Sequence, residues 1–313
     1  MRKNALIISC YVCALGAFGA FFRWLQIQIF YDPVTGIMTG SVWGILLPLM
    51  IIAVAVVFYS LIKKLLDQNL IPPMKLYDMF RGTTLVYPAV AWTIGIITAL
   101  GGLVTAFSVR YDAQAGLYTT VGLLAIIGGI SFPLICTCSK RRFAPGFVSA
   151  LMTVPVIMFI IWLIASYRQN ATIASIWVYA VEILTLCACL TAFFFTAGYA
   201  YGRVKPIESL FCTMFASFLG FMTLSDNRYT GLQLIVCGSI GMMLTEAWMI
   251  VSNMREKSDG DAPDELSENA SDEAELILQT DLDEIMKEAE KIPVEDTVID
   301  DDDDVKIWKN GKN

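Results

Sequence analysis

Glu182 and Glu246 are carboxylates set inside long apolar runs, "SIWVYAVEILTLCACLTAFFFTAGYAYG" at 175–202 and "LIVCGSIGMMLTEAWMIV" at 234–251. A charged side chain facing hydrocarbon is costly, so each needs a cation, a polar partner or a water-filled cavity. Four arginines, each beside an aromatic residue, could supply the cation: Arg23-Trp24, Arg110-Tyr111, Tyr167-Arg168 and Arg228-Tyr229. Guanidinium groups match carboxylate and phosphate oxygens bidentately. Gathered at one end of a helix bundle, Arg110, Arg168, Arg228, Tyr111 and Tyr229 make a candidate anion vestibule with Glu182 below it. Arginines and aromatic residues at helix ends also form the ordinary interfacial belt of membrane proteins.

Spacing narrows the partner of Glu182. Ser175, Tyr179, Glu182, Thr185, Cys189, Ala192 and Thr196 recur at helical steps, a stripe of polar and small residues. A second small face, Ser9, Cys13, Gly16, Ala20 and Arg23, permits close helix approach and ends in an arginine. If the helix starts near Ile176, Glu182 lies about 9 Å below its end. The expected contact is a Glu182–Arg23 ion pair, with Arg168 and Arg110 as alternative partners. Glu246 is a second intramembrane carboxylate with no partner assigned.

Other chemistry is sparse. The chain has no histidine, which removes Ser-His-Asp and Cys-His machinery and the commonest transition-metal ligand. No P-loop motif occurs. Cys10 and Cys13 have a C-x-x-C spacing but fall in a hydrophobic helix rather than a βαβ unit. Cys136/Cys138 and Cys187/Cys189 are two apart, on different helix faces. These features predict no catalytic centre, no metal, no cofactor and no nucleic-acid partner.

The elements that must position these residues are membrane helices. With 56% apolar and 16% charged residues, and apolar runs that stop near residue 251, the composition is that of a multi-pass membrane protein with a soluble tail. Windows near 5–22, 42–62, 84–107, 117–138, 147–166, 176–201, 208–225 and 230–252 reach the roughly 20 residues a spanning helix needs. If the N-terminus is cytoplasmic, 13 basic residues fall inside and 4 outside, which predicts that both ends are cytoplasmic. Compact loops suggest a bacterial cell membrane.

The pattern Y-D-x-x-x-G-(I/L)-x-T occurs at Tyr31–Thr39 and at Tyr111–Thr119, each after an "ALG" segment. It predicts an all-α fold of four two-helix hairpins, the first two quasi-repeated with parallel topology.

The domain boundary falls at 252/253. Residues 1–251 carry 15 basic and 8 acidic side chains, residues 252–313 carry 7 and 21. A tail this acidic is expected to be largely disordered. Within it Leu278, Leu282, Ile285, Met286, Ala289 and Ile292 recur at helical spacing, and with Thr280 as an N-cap and Pro293 as a stop they predict an amphipathic helix near 280–291. Leu282, Ile285 and Met286 on that helix, with Trp308 near the end of the sequence, are the tail's candidate docking residues.

Two functions compete. One is a noncatalytic membrane scaffold or complex subunit that recruits a cytoplasmic protein through the tail. The other is a transporter or ligand-binding protein for an anionic small molecule or lipid headgroup, with the outer arginines and Glu182 lining the site. The first is preferred at this level, because the acidic residues inside spans are few. Membrane lipid is a partner in either case.

Overall fold

In hydrocarbon a backbone N–H or C=O has no water to bond with, so apolar runs of this length resolve into helices that satisfy their own backbone. The computed structural model describes residues 2–30, 42–68, 70–80, 86–108, 115–140, 145–171, 179–226 and 228–256. Among these, α1 (Arg2–Phe30), α2 (Val42–Leu66), β1 (Leu70–Ile71), α3 (Leu76–Met79), α4 (Val86–Ser108), α5 (Ala115–Lys140), α6 (Pro145–Asn170), α7 (Ala180–Gly198), α8 (Pro206–Thr223), α9 (Thr230–Ser252) and β2 (Arg255–Glu256) follow in order. Eight of the helices, all but α3, are long and apolar enough to cross a membrane. The protein is a multi-pass integral membrane protein.

Six of the eight close into a ring: α4 packs on α5, α5 on α6, α6 on α7, α7 on α8, α8 on α9, and α9 returns to α4. Helix α1 lies outside the ring against α8 and α9, and α2 touches α8 and α1 only slightly. The largest share of buried residues falls on α8 and α9. We call the end of the bundle where α9 finishes the terminal end, and the other the far end.

Glycines set the closest contacts of the ring. A Cβ added at Gly102 would stand 2.4 Å from the carbonyl oxygen of Gly122, and one at Gly95 would stand 2.3 Å from that of Gly129, so α4 and α5 meet backbone to backbone. On its other side α4 presents Thr98 to Gly238 of α9, where an added Cβ would fall 1.9 Å from the Thr98 hydroxyl oxygen. Without a water-driven hydrophobic effect between helices, such small-residue approaches supply the dispersion contacts that hold membrane bundles together.

The hairpin expectation needs correction. Helices α4 and α5 form a tight pair, whereas α1 and α2 hardly touch, so the first two hairpins do not pack alike. Gly95, Gly102, Gly122 and Gly129 lock α4 to α5, while Gly16 and Gly19 of α1 face α8. Asp32 and Asp112 of the repeated motif, and the tail from residue 257 on with its amphipathic segment, lie outside the described residues, whereas Gly116, Leu117 and Thr119 of the motif fall in α5 and the first tail residues, 253–256, are packed at the end of α9. At the terminal end, β1 pairs antiparallel with β2, Leu70 opposite Glu256, and Asn253 donates to the carbonyl of Met79 at 2.7 Å. Arg255 reaches Asp78 at 3.1 Å. This small knot ties the α2–α4 connection to the end of α9.

Candidate functional site

The far end is organised by the turn that joins α8 to α9. Asp226 in that turn accepts a hydrogen bond at 2.9 Å from Nε of Arg23, on α1. Arg23 also donates to Gln26 at 2.8 Å and is 1% exposed. The other Asp226 carboxylate oxygen takes Nη2 of Arg228 at 2.9 Å. The turn is pinned further by Ser225, which donates to the carbonyl of Ala20 at 2.7 Å, and by Gln233, which donates to that of Asp226 at 3.2 Å.

Arg228 then points its remaining capacity at α7. Its Nη2 lies 3.4 Å from Glu182 Oε2. Only 8% of the Arg228 side chain is exposed, and Nη1 is buried with no hydrogen-bond partner among the described residues. A buried donor left unmade costs on the order of 1–3 kcal/mol, more when charged.

Beside this pair is a cavity of about 420 Å³ whose wall includes Tyr118 of α5, Gln169 and Asn170 of α6, Glu182, Arg228 and Tyr229. Tyr118 donates its hydroxyl to Gln169. The cavity is the far mouth of the helix ring.

The Glu182–Arg23 pair expected from spacing does not form. The middle of each small-residue face that suggested it is taken up by α8 instead. Gly16 of α1 packs on Phe221, while Thr185 of α7 bonds the hydroxyl of Thr223 at 2.7 Å and the carbonyl of Leu219 at 3.2 Å. Helix α7 also begins at Ala180, so Glu182 sits in its first turn and not six residues past the helix start. There the positive end of the helix dipole favours the carboxylate.

Of the candidate vestibule, Arg228 and Tyr229 line the cavity, whereas Arg168 is exposed on the last turn of α6 and stands outside the cavity wall. Arg110 and Tyr111, with the tail residues Leu282, Ile285, Met286 and Trp308, lie outside the described residues. Sequence reading missed Asp226, although it stands two residues before Arg228 in "SDNRYTGL", a spacing that lets a turn pair the two. It also assigns no place at the site to Tyr118, Gln169 and Asn170, which carry no charge to mark them.

Glu246 occupies the opposite half of the ring. It is 3% exposed, and Oε2 accepts a hydrogen bond from Thr196 of α7 at 2.9 Å. Among the described residues it makes no ion pair. A cavity of about 20 Å³, room for one water, is bounded there by Phe132, Met152, Pro155, Phe193, Thr196 and Glu246. Pro155 and Gln169, on the walls of the two cavities, are about 21 Å apart along α6 at roughly 1.5 Å per residue. Between them Phe159 stacks on Trp162 at 5.9 Å and on Phe193 at 5.6 Å. The ring therefore holds a polar mouth and a buried carboxylate separated by an aromatic stack.

Comparison of the chain with protein-family models, with curated proteins and with solved structures finds no match.

Proposed function

We propose that this is a noncatalytic membrane protein that captures a small ligand bearing an anionic group in the far cavity and passes it through the helix ring. The observation that carries the reading is Arg228: a buried guanidinium at the cavity wall with Nη1 unpartnered among the described residues. A ligand oxygen entering the cavity would satisfy that donor after a small side-chain shift, as arginine does for carboxylate and phosphate. The aromatic stack between the two cavities supplies a barrier that a transported ligand would have to displace. In this reading the far end faces outward from a bacterial cell membrane and both termini face the cytoplasm, as the distribution of basic residues predicts.

The test is ligand-induced stabilisation of the purified full-length protein in nanodiscs, screened with small carboxylates and phosphates. At saturating ligand the wild type should gain stability by mass action, and Arg228→Gln should abolish the gain. If no carboxylate or phosphate stabilises the wild type in an Arg228-dependent way, the reading fails.

Recruitment of a cytoplasmic protein through the acidic tail is a second reading, favoured by 21 acidic against 7 basic side chains after residue 251. It can coexist with ligand capture. Deleting residues 259–313 should abolish co-purification of a partner while leaving ligand-induced stabilisation intact.

A further inference from the structure

Among the described residues the ion pairs beside the far cavity are matched in sign: Arg23 and Arg228 face Asp226 and Glu182, two positive and two negative. The two carboxylates are not equally engaged. Asp226 has one oxygen 2.9 Å from Arg23 and the other 2.9 Å from Arg228, and both contacts are hydrogen bonds. Glu182 has one ion-pair contact, at 3.4 Å, to the Nη2 that Asp226 already holds. Its side chain is 14% exposed and forms part of the cavity wall.

A simple anion placed at Arg228 would therefore sit against a carboxylate that is poorly compensated. In a partly buried site of reduced dielectric, that repulsion offsets much of what the arginine offers. A ligand that also carries an ammonium group removes the conflict, because its cation can take the free capacity of Glu182 while its anion takes Nη1 of Arg228. Binding then adds no net charge to the site. A cavity of about 420 Å³ has room for a whole free amino acid.

From these contacts we infer that the ligand is a zwitterion of the free amino-acid class, its carboxylate bound by Arg228 and its ammonium by Glu182. The inference rests on the ligand-capture reading above and assigns Glu182 a binding role in it. The neutral wall residues Tyr118, Gln169, Asn170 and Tyr229 surround the side-chain portion.

The experiment measures binding to the full-length protein in nanodiscs by thermal stabilisation. Each standard amino acid is compared with the acid that lacks its ammonium and the amine that lacks its carboxylate: alanine with propionate and ethylamine, phenylalanine with hydrocinnamate and phenethylamine. At least one amino acid should bind about tenfold or more tighter than either matched compound, a difference of about 1.4 kcal/mol. Glu182→Gln should erase the preference over the acid while acid binding persists, Glu182→Asp should retain part of it, and Arg228→Gln should abolish binding of amino acid and acid alike.

Equal or tighter binding of the acids, with Glu182→Gln strengthening it, would overturn the zwitterion and leave anion capture standing. No Arg228-dependent binding of any compound would overturn both. Stabilisation by phosphatidylethanolamine nanodiscs over phosphatidylglycerol ones, with none by free amino acids, would overturn the free amino acid in favour of a lipid headgroup.

Discussion

Arg23 and Asp226 are 203 residues apart in the chain, and Nε of one lies 2.9 Å from Oδ1 of the other. The contact fastens α1, a helix outside the ring, to the turn that carries Arg228. Asp226 serves two arginines, whereas Arg23 has Gln26 as well. Asp226→Asn should therefore cost more than Arg23→Gln, because it weakens the charge-assisted contacts of two buried arginines at once, whereas Arg23→Gln removes one of them. Breaking a buried pair from one side typically costs about 3–5 kcal/mol. Unfolding free energies measured for the two variants in the same detergent decide the order, and a larger loss in Arg23→Gln would contradict it.

The spans were legible because a helix that must satisfy its backbone in lipid has to be long and apolar, and both properties are local to the sequence. Which helices touch was not legible. Gly16 on α1 and Thr185 on α7 each advertise a close approach, and nothing in either segment says that α8 receives both. The start of α7 was misjudged because "IWVY" is as apolar as the helix that follows it, so hydropathy carries no boundary there. Asp226 escaped notice because a carboxylate in a polar turn looks solvated until the fold buries Arg23 against it. The paired β1 and β2 are two residues each, too short for an alternating pattern to register.

The backbone contact between α4 and α5 gives a sharp comparison. Gly102→Ala puts a methyl group 2.4 Å from a carbonyl oxygen of the facing helix, while a Cβ at Gly116, in the first turn of α5, meets nothing within 4 Å. Over-packing of this kind costs roughly 1–3 kcal/mol. Gly102→Ala should lower the unfolding temperature clearly and Gly116→Ala should leave it unchanged or raise it slightly. Equal effects would mean that the two helices can separate without loss.

Orientation is open to direct chemistry. Gly116 lies in the first turn of α5 at the far end and Asp67 follows α2 at the terminal end. In a background without native cysteines, Gly116→Cys should react with an impermeant maleimide added to intact cells, and Asp67→Cys only after the membrane is opened. The reverse pattern would place the far cavity in the cytoplasm, and labelling of both from one face would break the eight-span arrangement.

Glu246 separates structural from functional explanations of a buried carboxyl. Its visible support is a hydrogen bond from Thr196, and Thr196 also lies 3.0 Å from the Ala192 carbonyl within its own helix. Removing the carboxyl therefore strands no donor. Leucine has similar bulk and avoids the cost of keeping a polar group in a low-dielectric interior, so Glu246→Leu should change stability by less than about 1 kcal/mol or increase it. Glu246→Ala should lose about 2–5 kcal/mol, the range for truncating a large buried side chain to alanine, because it enlarges the 20 Å³ cavity. If Leu is tolerated while ligand passage falls in proteoliposomes, the carboxyl is retained for function at the terminal half of the ring. If Leu is as damaging as Ala, the acid is a structural requirement and that role is excluded.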